Sequence, residues 1–323
     1  MTALFDSSYT LHGLTLALAW FFAVNAIACL IVGAIASRWV ARNRTMSPGI
    51  WFGMRVLPAL SAVTFVIAFF VPSYWMYEPI ETNEAIDVTL AAFALASVGM
   101  LGAAAYRGVT AWRCAARRTR VWMGRARPLA LPGTSMTAFE IDSDVAVMAL
   151  AGVVRPRLLV TRSLVEALTP EELAASVAHE IGHAHARDNL KRLLMRAAPD
   201  LFFATRRARL VEQRWAAASE HRADRMAGGE QPAARCALAS ALVKVARLTI
   251  STPPIAEPIS TLVGGGDIAS RVRNLLDDAV PAGPLRRMRW TVVGVSAIVG
   301  IAAYAPLLQA VHHTTEALVY FLP

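Results

Sequence analysis

The chain has 323 residues, of which 56% are hydrophobic and 17% charged, with a formal net charge of +9. Such a composition excludes an ordinary soluble protein, although the length allows two domains of usual size. Three scattered cysteines, Cys29, Cys114 and Cys236, argue against both a disulfide framework and a thiolate metal site, so the meaning of the positive charge rests on where the arginines fall.

A helix crosses a bilayer core with about 20 apolar residues. Four stretches reach that length, 12–36, 56–75, 88–106 and 290–311. The first has no charge between Leu14 and Ala36, and a basic loop follows it in place of a signal-peptidase site, so it reads as an anchor. The second carries Pro58 and Pro72. Arg38, Arg42, Arg44 and Arg55 follow the first span, whereas Glu78, Glu81, Glu84 and Asp87 follow the second. Positive charge marks the cytoplasmic side, which places the first loop inside and the acidic loop outside. Arg107, Arg113, Arg117, Arg118, Arg120, Arg125 and Arg127 follow the third span, and Arg286, Arg287 and Arg289 precede the fourth. The pattern predicts a mainly α, multi-pass protein of the cell (cytoplasmic) membrane with both termini outside. It divides the chain into a three-span region (1–106), a cytoplasmic domain (107–289), and a fourth transmembrane helix with a short outer tail (290–323). Because the arginines hug span ends and form no recognition-helix or RNP pattern, membrane lipid is the expected partner and direct nucleic-acid binding is not expected.

Between Arg107 and Arg289 the membrane pattern gives way to short strand-like runs at 129–131, 137–141, 145–150 and 157–161, separated by Pro132-Gly133, Ser143-Asp144 and a turn over 152–156. A small sheet followed by helices is expected, hence an α+β domain. Thr169-Pro170-Glu171-Glu172 then supplies an N-cap, a proline at the first helical position and a glutamate three after the cap, which predicts a helix running through His183. The run 193–203, apolar apart from Arg196 and Asp200, reads as a core helix in preference to a gate lying on the membrane. The glycines Gly264, Gly265 and Gly266 lack the strand and Lys-Ser/Thr context of a phosphate loop, so 252–266 reads as a flexible connection.

His179-Glu180-Ile181-Gly182-His183 is an H-E-x-x-H motif. Histidines four apart share a helical face and can both ligate Zn2+, with the intervening glutamate turned toward the reacting water. A catalytic zinc takes three protein ligands and keeps one position open, so a third ligand is expected downstream. Glu220 is the leading candidate, with Asp224 one turn on and placed to accept the free N–H of a ligating histidine. His221 and His185 are the competing ligands, His185 disfavoured because two residues turn it about 200° from His183. No tyrosine lies between Tyr106 and Tyr304, which leaves His221, His185 or an arginine as stabiliser of an oxyanion. The set predicts metal-assisted hydrolysis of a protein or peptide substrate with one Zn2+ per chain and Glu180 as general base. The strand 145–150 is a candidate edge for an extended substrate.

These residues resemble the membrane zinc peptidases of the BlaR/MecR antirepressor type. The likeness lies in Arg155-Pro156-Arg157, the run from Leu168 to Leu173, the His179 motif followed by Arg187-Asp188-Asn189-Leu190, Glu220 with Ala223-Asp224, and the run from Arg271 to Leu276. The resemblance implies a gluzincin-type domain, zinc on His179, His183 and Glu220, catalysis by Glu180, and a regulatory role in signal transduction through cleavage of a cytoplasmic protein such as a transcriptional repressor. Those receptors carry an outer penicillin-binding sensor after the fourth span, whereas this sequence stops at Pro323. Beta-lactam sensing is therefore not expected to transfer, and a signal would enter through the spans, the acidic loop or a membrane sensor partner. A quality-control or processing protease similar to the HtpX or CAAX peptidases is the alternative enzyme. A non-catalytic scaffold held together by zinc is the alternative outside enzymes, and Glu180 counts against it because a structural site has no use for a base.

Overall fold

A computed structural model describes residues 7–42, 46–79, 87–131, 134, 136–142, 146–229, 231–248, 260–261, 268–277 and 290–321, without the side chains at 7, 260–261, 290–302 and 321. The chain opens with α1 (Ser7–Ala41), α2 (Pro48–Phe65), a π-helical turn (Val66–Phe70), α3 (Val71–Tyr77) and α4 (Val88–Met123). Three helical stretches, Ser8–Ala41, Pro48–Tyr77 and Val88–Met123, are long and apolar enough to cross a membrane. At 1.5 Å per residue the 35 residues of α1 span about 52 Å, well beyond a hydrocarbon core of about 30 Å. The surplus carries these helices into the rest of the protein. The boundary expected after residue 106 falls inside α4, which continues through the arginine-rich stretch because Ala and Arg favour helix and Gly124 is its first C-terminal break.

The fourth apolar segment lies in α11 (Trp290–Phe321), whose first side chains fall outside the described set. Its seat against the Pro48–Tyr77 stretch follows from proline chemistry. Pro72 has no N–H to give the carbonyl four residues back, that of Ala68, and the Tyr304 hydroxyl of α11 donates to that carbonyl at 2.7 Å. Ser73 likewise donates to the Leu308 carbonyl at 2.8 Å. The arginines expected at 286–289, and Glu81 and Glu84 of the acidic loop, lie outside the described residues.

The domain between α4 and α11 begins with β1 (Arg127–Leu129), β2 (Ala138–Ile141), β3 (Met148–Ala151) and β4 (Arg157–Thr161), close to the four expected runs. Helices α5 (Arg162–Ala167), α6 (Pro170–His185), α7 (Asp188–Ala197), α8 (Arg206–Gly228) and α9 (Pro232–Leu248) follow, then β5 (Ser260–Thr261) and α10 (Ile268–Leu276). The sheet order is β1-β2-β4-β3-β5, with β2 and β4 parallel and the other pairs antiparallel. One face of the sheet packs on the helices through Met148, Leu158, Val160, Leu164, Leu238 and Leu242. The expected substrate edge at β3 is already taken, since Ala149 pairs with Thr261 and Leu150 with Ser260. The two-residue β5, in a stretch whose glycines signalled only a loop, is too short to announce itself in sequence.

Membrane helices and domain share one core of Val32, Trp51, Met54, Phe202, Val211 and Trp215. Arg55, expected in a basic loop, is instead buried on α2, where it donates to Asp200 and Glu212 at 2.7 Å each and to the Met195 carbonyl at 3.0 Å. The run 193–203 is not one helix, because Pro199 has no N–H to continue it and α7 ends at Ala197. Asn25 of α1 donates to the Pro199 carbonyl at 2.9 Å and Arg107 of α4 to that of Ala198 at 2.9 Å, so this turn is stitched to the membrane helices.

Candidate active site

The helix carrying the H-E-x-x-H motif is fixed at its start by the expected capping box. Thr169 Oγ1 accepts from the Glu172 N–H at 3.3 Å and Glu172 Oε2 from the Thr169 N–H at 2.9 Å. Glu172 also accepts from Ser240 Oγ at 2.6 Å and Lys244 Nζ at 2.7 Å, which locks α6 onto α9. On its other side α6 lies against α8 at Gly182, where a Cβ would meet the Ala223 Cα at 3.3 Å. That close approach favours glycine, and it brings Glu220 of α8 over the two histidines.

His179, His183 and Glu220 are buried and gathered by their ligand atoms. The two Nε2 atoms lie 3.2 Å apart, and the Glu220 carboxylate faces both, with Oε2 3.5 Å from His179 Nε2 and Oε1 3.6 Å from His183 Nε2. Tetrahedral zinc with bonds of about 2.0–2.2 Å separates its donors by about 3.3–3.6 Å, so these residues fit the ion they were expected to hold. The outward-facing Nδ1 atoms are each held by a carboxylate, His179 by Asp224 at 2.9 Å and His183 by Asp188 at 2.7 Å. This fixes which nitrogen faces the ion position.

Glu180, also fully buried, has neither carboxylate oxygen hydrogen-bonded among the described residues. Burial pushes its carboxyl above the ordinary carboxylate range, against the opposing pull of His183 and His179. Burial also works to raise Glu220, but the adjacent His179 and His183 and the charge of Arg271 outweigh it and hold Glu220 well below the usual range. His183 is pushed up to about 10, because Asp188 and Glu220 favour its charged form more than burial opposes it.

His221 faces Asn274 of α10, with Nδ1 3.4 Å from Nδ2, and His185 is exposed. Among the described residues no hydrogen bond or ion pair joins either of them to the cluster, and the third ligand position is taken by Glu220.

Three residues of the site carried no role in the sequence reading. Asp188 follows a turn in which Arg187 adopts φ 54°, a left-handed conformation that folds the chain back onto His183. Arg222 bonds Asp188 at 2.6 Å. Arg271 grips Asp224 through two bonds of 2.6 and 2.9 Å and reaches Glu220 at 3.0 Å. The signal for Arg271 was an arginine on the apolar stripe of Ile268, Val272 and Leu275, a place where a charge needs a buried partner.

The comparisons agree with this geometry. No curated protein matches the chain. Residues 114–221, about a third of the sequence, match the model of Peptidase family M48, a segment running from the arginine-rich end of α4 through β1 to β4 and the histidine motif to just beyond Glu220. Over the stretch that contains its metal-ligand cluster, the chain is thus similar to a metallopeptidase family, on a protein with three helices able to cross a membrane.

Proposed function

We propose that the protein is an integral-membrane zinc endopeptidase that hydrolyses peptide bonds of a cytoplasmic or membrane protein in regulatory signalling. The observation that carries this reading is the buried, unbonded Glu180 carboxylate beside a ligand triangle of tetrahedral dimensions. A structural zinc site would close its fourth position with protein and would gain nothing from a second buried carboxylate, so the scaffold reading is set aside.

His179, His183 and Glu220 hold the ion. When bound, zinc supplies Lewis-acid polarisation of a carbonyl and acidifies water. Glu180 accepts a proton from the attacking water and returns it to the leaving amine, a task served by a carboxyl that burial makes more basic. Asp188 and Asp224 hold the imidazoles in one tautomer, and Arg271 fixes Asp224 and Glu220 against each other. A peptide adding to the sheet beside α6 meets β5 before β3. The matched family is named for peptidase activity alone, and this favours a second reading with the same chemistry, processing or quality control of membrane proteins.

The test is proteolysis by detergent-purified protein on an unstructured substrate, followed by a survey of proteins cleaved in cells. Cleavage abolished in Glu180→Gln supports the enzyme reading, and one or few regulatory proteins among the cellular substrates supports signalling. Cleavage of many misfolded membrane proteins supports quality control, and equal cleavage by Glu180→Gln refutes the assigned chemistry.

A further inference from the structure

Beside His183, the facing sides of α7 and α8 carry more positive charge than they pair. Arg222 of α8 and Lys191 of α7 both approach Asp188, with Arg222 Nη2 2.6 Å from Oδ2 and Lys191 Nζ 3.9 Å from Oδ1. Arg192 stands one turn after Asp188 on the same face of α7. Three cations thus gather about a single carboxylate, whose Oδ2 is also held by His183 Nδ1 at 2.7 Å. Burial and the charge of Arg222 hold the Lys191 ammonium below its ordinary range, against the pull of Asp188.

Arg192 is the member that points to a ligand. It is 8% exposed, its Nε has no hydrogen-bond partner, and no carboxylate pairs with it among the described residues. Its guanidinium lies over the Trp215 ring, 5.4 Å from the centroid, a contact weaker than a charge-assisted bond to an anion. Trp215 Nε1 and, one turn on along α8, Ser219 Oγ are also buried without a hydrogen-bond partner among the described residues. A buried guanidinium is costly until an anion joins it, and carboxylate oxygens match both its planar fork and neutral N–H and O–H donors.

We propose that Lys191, Arg192 and Arg222 form a specificity subsite that takes an acidic side chain of the substrate, near the scissile bond. The inference rests on the proposed function and names the substrate class for the same site. Two observations favour a substrate carboxylate over a stray anion. The carboxylate that the cations surround is the one that holds the zinc ligand His183, so the surplus charge stands next to the reaction centre. The Lys191 and Arg222 side chains are also 26% and 21% exposed, so the cluster reaches the surface. Unbalanced charge of one sign on a cleft wall attracts a substrate group of the other sign and fixes its register.

The test uses full-length, zinc-loaded protein in detergent and pairs of peptides that differ by Glu or Gln at one position, scanned along the residues flanking the scissile bond. Wild type is expected to favour Glu at one of these positions by about tenfold in kcat/KM, the effect of one close charge pair. In Arg192→Met and Lys191→Met this ratio is expected to fall toward one, and in Arg192→Lys to recover. If Arg192→Met fails to fold, Lys191→Met carries the comparison. The same peptide pairs are also bound uncut to Glu180→Gln protein, where fluorescence anisotropy is expected to show tighter binding of the Glu peptide. Equal treatment of Glu and Gln at every position overturns the subsite, as does a preference that survives both Met substitutions. Stabilisation by inorganic phosphate without any Glu–Gln difference also overturns it, because the cations then serve a free anion. Discrimination in binding with no cleavage by wild type would sink the proposed function and leave the subsite standing.

Discussion

At the scale of single residues, the site depends on groups that hold the ligands as much as on the ligands themselves. Asp188 holds His183 at 2.7 Å, and its replacement by Asn removes the charge that fixes the tautomer. Asp188→Asn is expected to weaken zinc binding by about 10–100-fold, read by chelator competition, with unchanged affinity contradicting the role. The raised pKa of His183 gives a pH prediction. The ordinary value of 6.5 is lifted to about 10 in the metal-free fold, so this group stabilises that fold fully below 6.5 and the contribution is lost as pH rises through 10. Zinc competes with that proton. Titration near neutral pH is expected to release about one proton from His183, seen as a buffer-dependent heat of binding, and a buffer-independent heat would contradict it. His179 and His183 were legible in the sequence because residues four apart share a helical face, Glu180 because it stands beside them in the motif, and Glu220 because a catalytic zinc needs a third ligand and Asp224 lies one turn on. Asp188 was not, because its position depends on the left-handed Arg187, and no residue type at that turn announces a positive φ.

At the scale of elements, two joints set the geometry. The approach of α6 to α8 is tight at residue 182, where a Cβ would sit 3.3 Å from the Ala223 Cα and would push the two helices apart by a few tenths of an ångström. Gly182→Ala is expected to cost about 1–3 kcal/mol in thermal unfolding and to weaken zinc binding together with it, since the same shift carries Glu220 away. Full zinc affinity at wild-type stability would show that the helices have slack. Where α11 meets the Pro48–Tyr77 stretch, Tyr304→Phe leaves the Ala68 carbonyl without its hydroxyl donor and is expected to lower stability by about 1 kcal/mol in a detergent unfolding assay. The strands and the capped α6 were readable from alternation and cap chemistry. The short β5 was not, since its pairing with Ala149 and Leu150 is a tertiary event, and the expected open edge at β3 was lost with it.

At the scale of the whole molecule, the membrane helices and the catalytic domain are one packed body across Arg55, Asp200 and Glu212. Composition located three of the four expected spans among the described residues, but the charge count assigned Arg55 to a loop, because arginines near span ends do not reveal which is solvated and which is buried between two carboxylates. Arg55→Met strands the fully buried Asp200 and the largely buried Glu212, and is expected to cost about 3–5 kcal/mol, read as a lowered Tm of the full-length protein. A neutral result would mean that the domain is held to its helices by apolar contacts alone. The shared apolar core of Val32, Trp51, Phe202 and Trp215 joins the long apolar helices to the domain beside these ion pairs.

The most direct measurement of the central claim is zinc content and proteolysis in Glu180→Ala and Glu220→Ala beside wild type. The account predicts wild-type zinc without proteolysis in Glu180→Ala, and one zinc equivalent lost together with proteolysis in Glu220→Ala. Zinc retained at the wild-type level in Glu220→Ala, or cleavage persisting in Glu180→Ala, would contradict it.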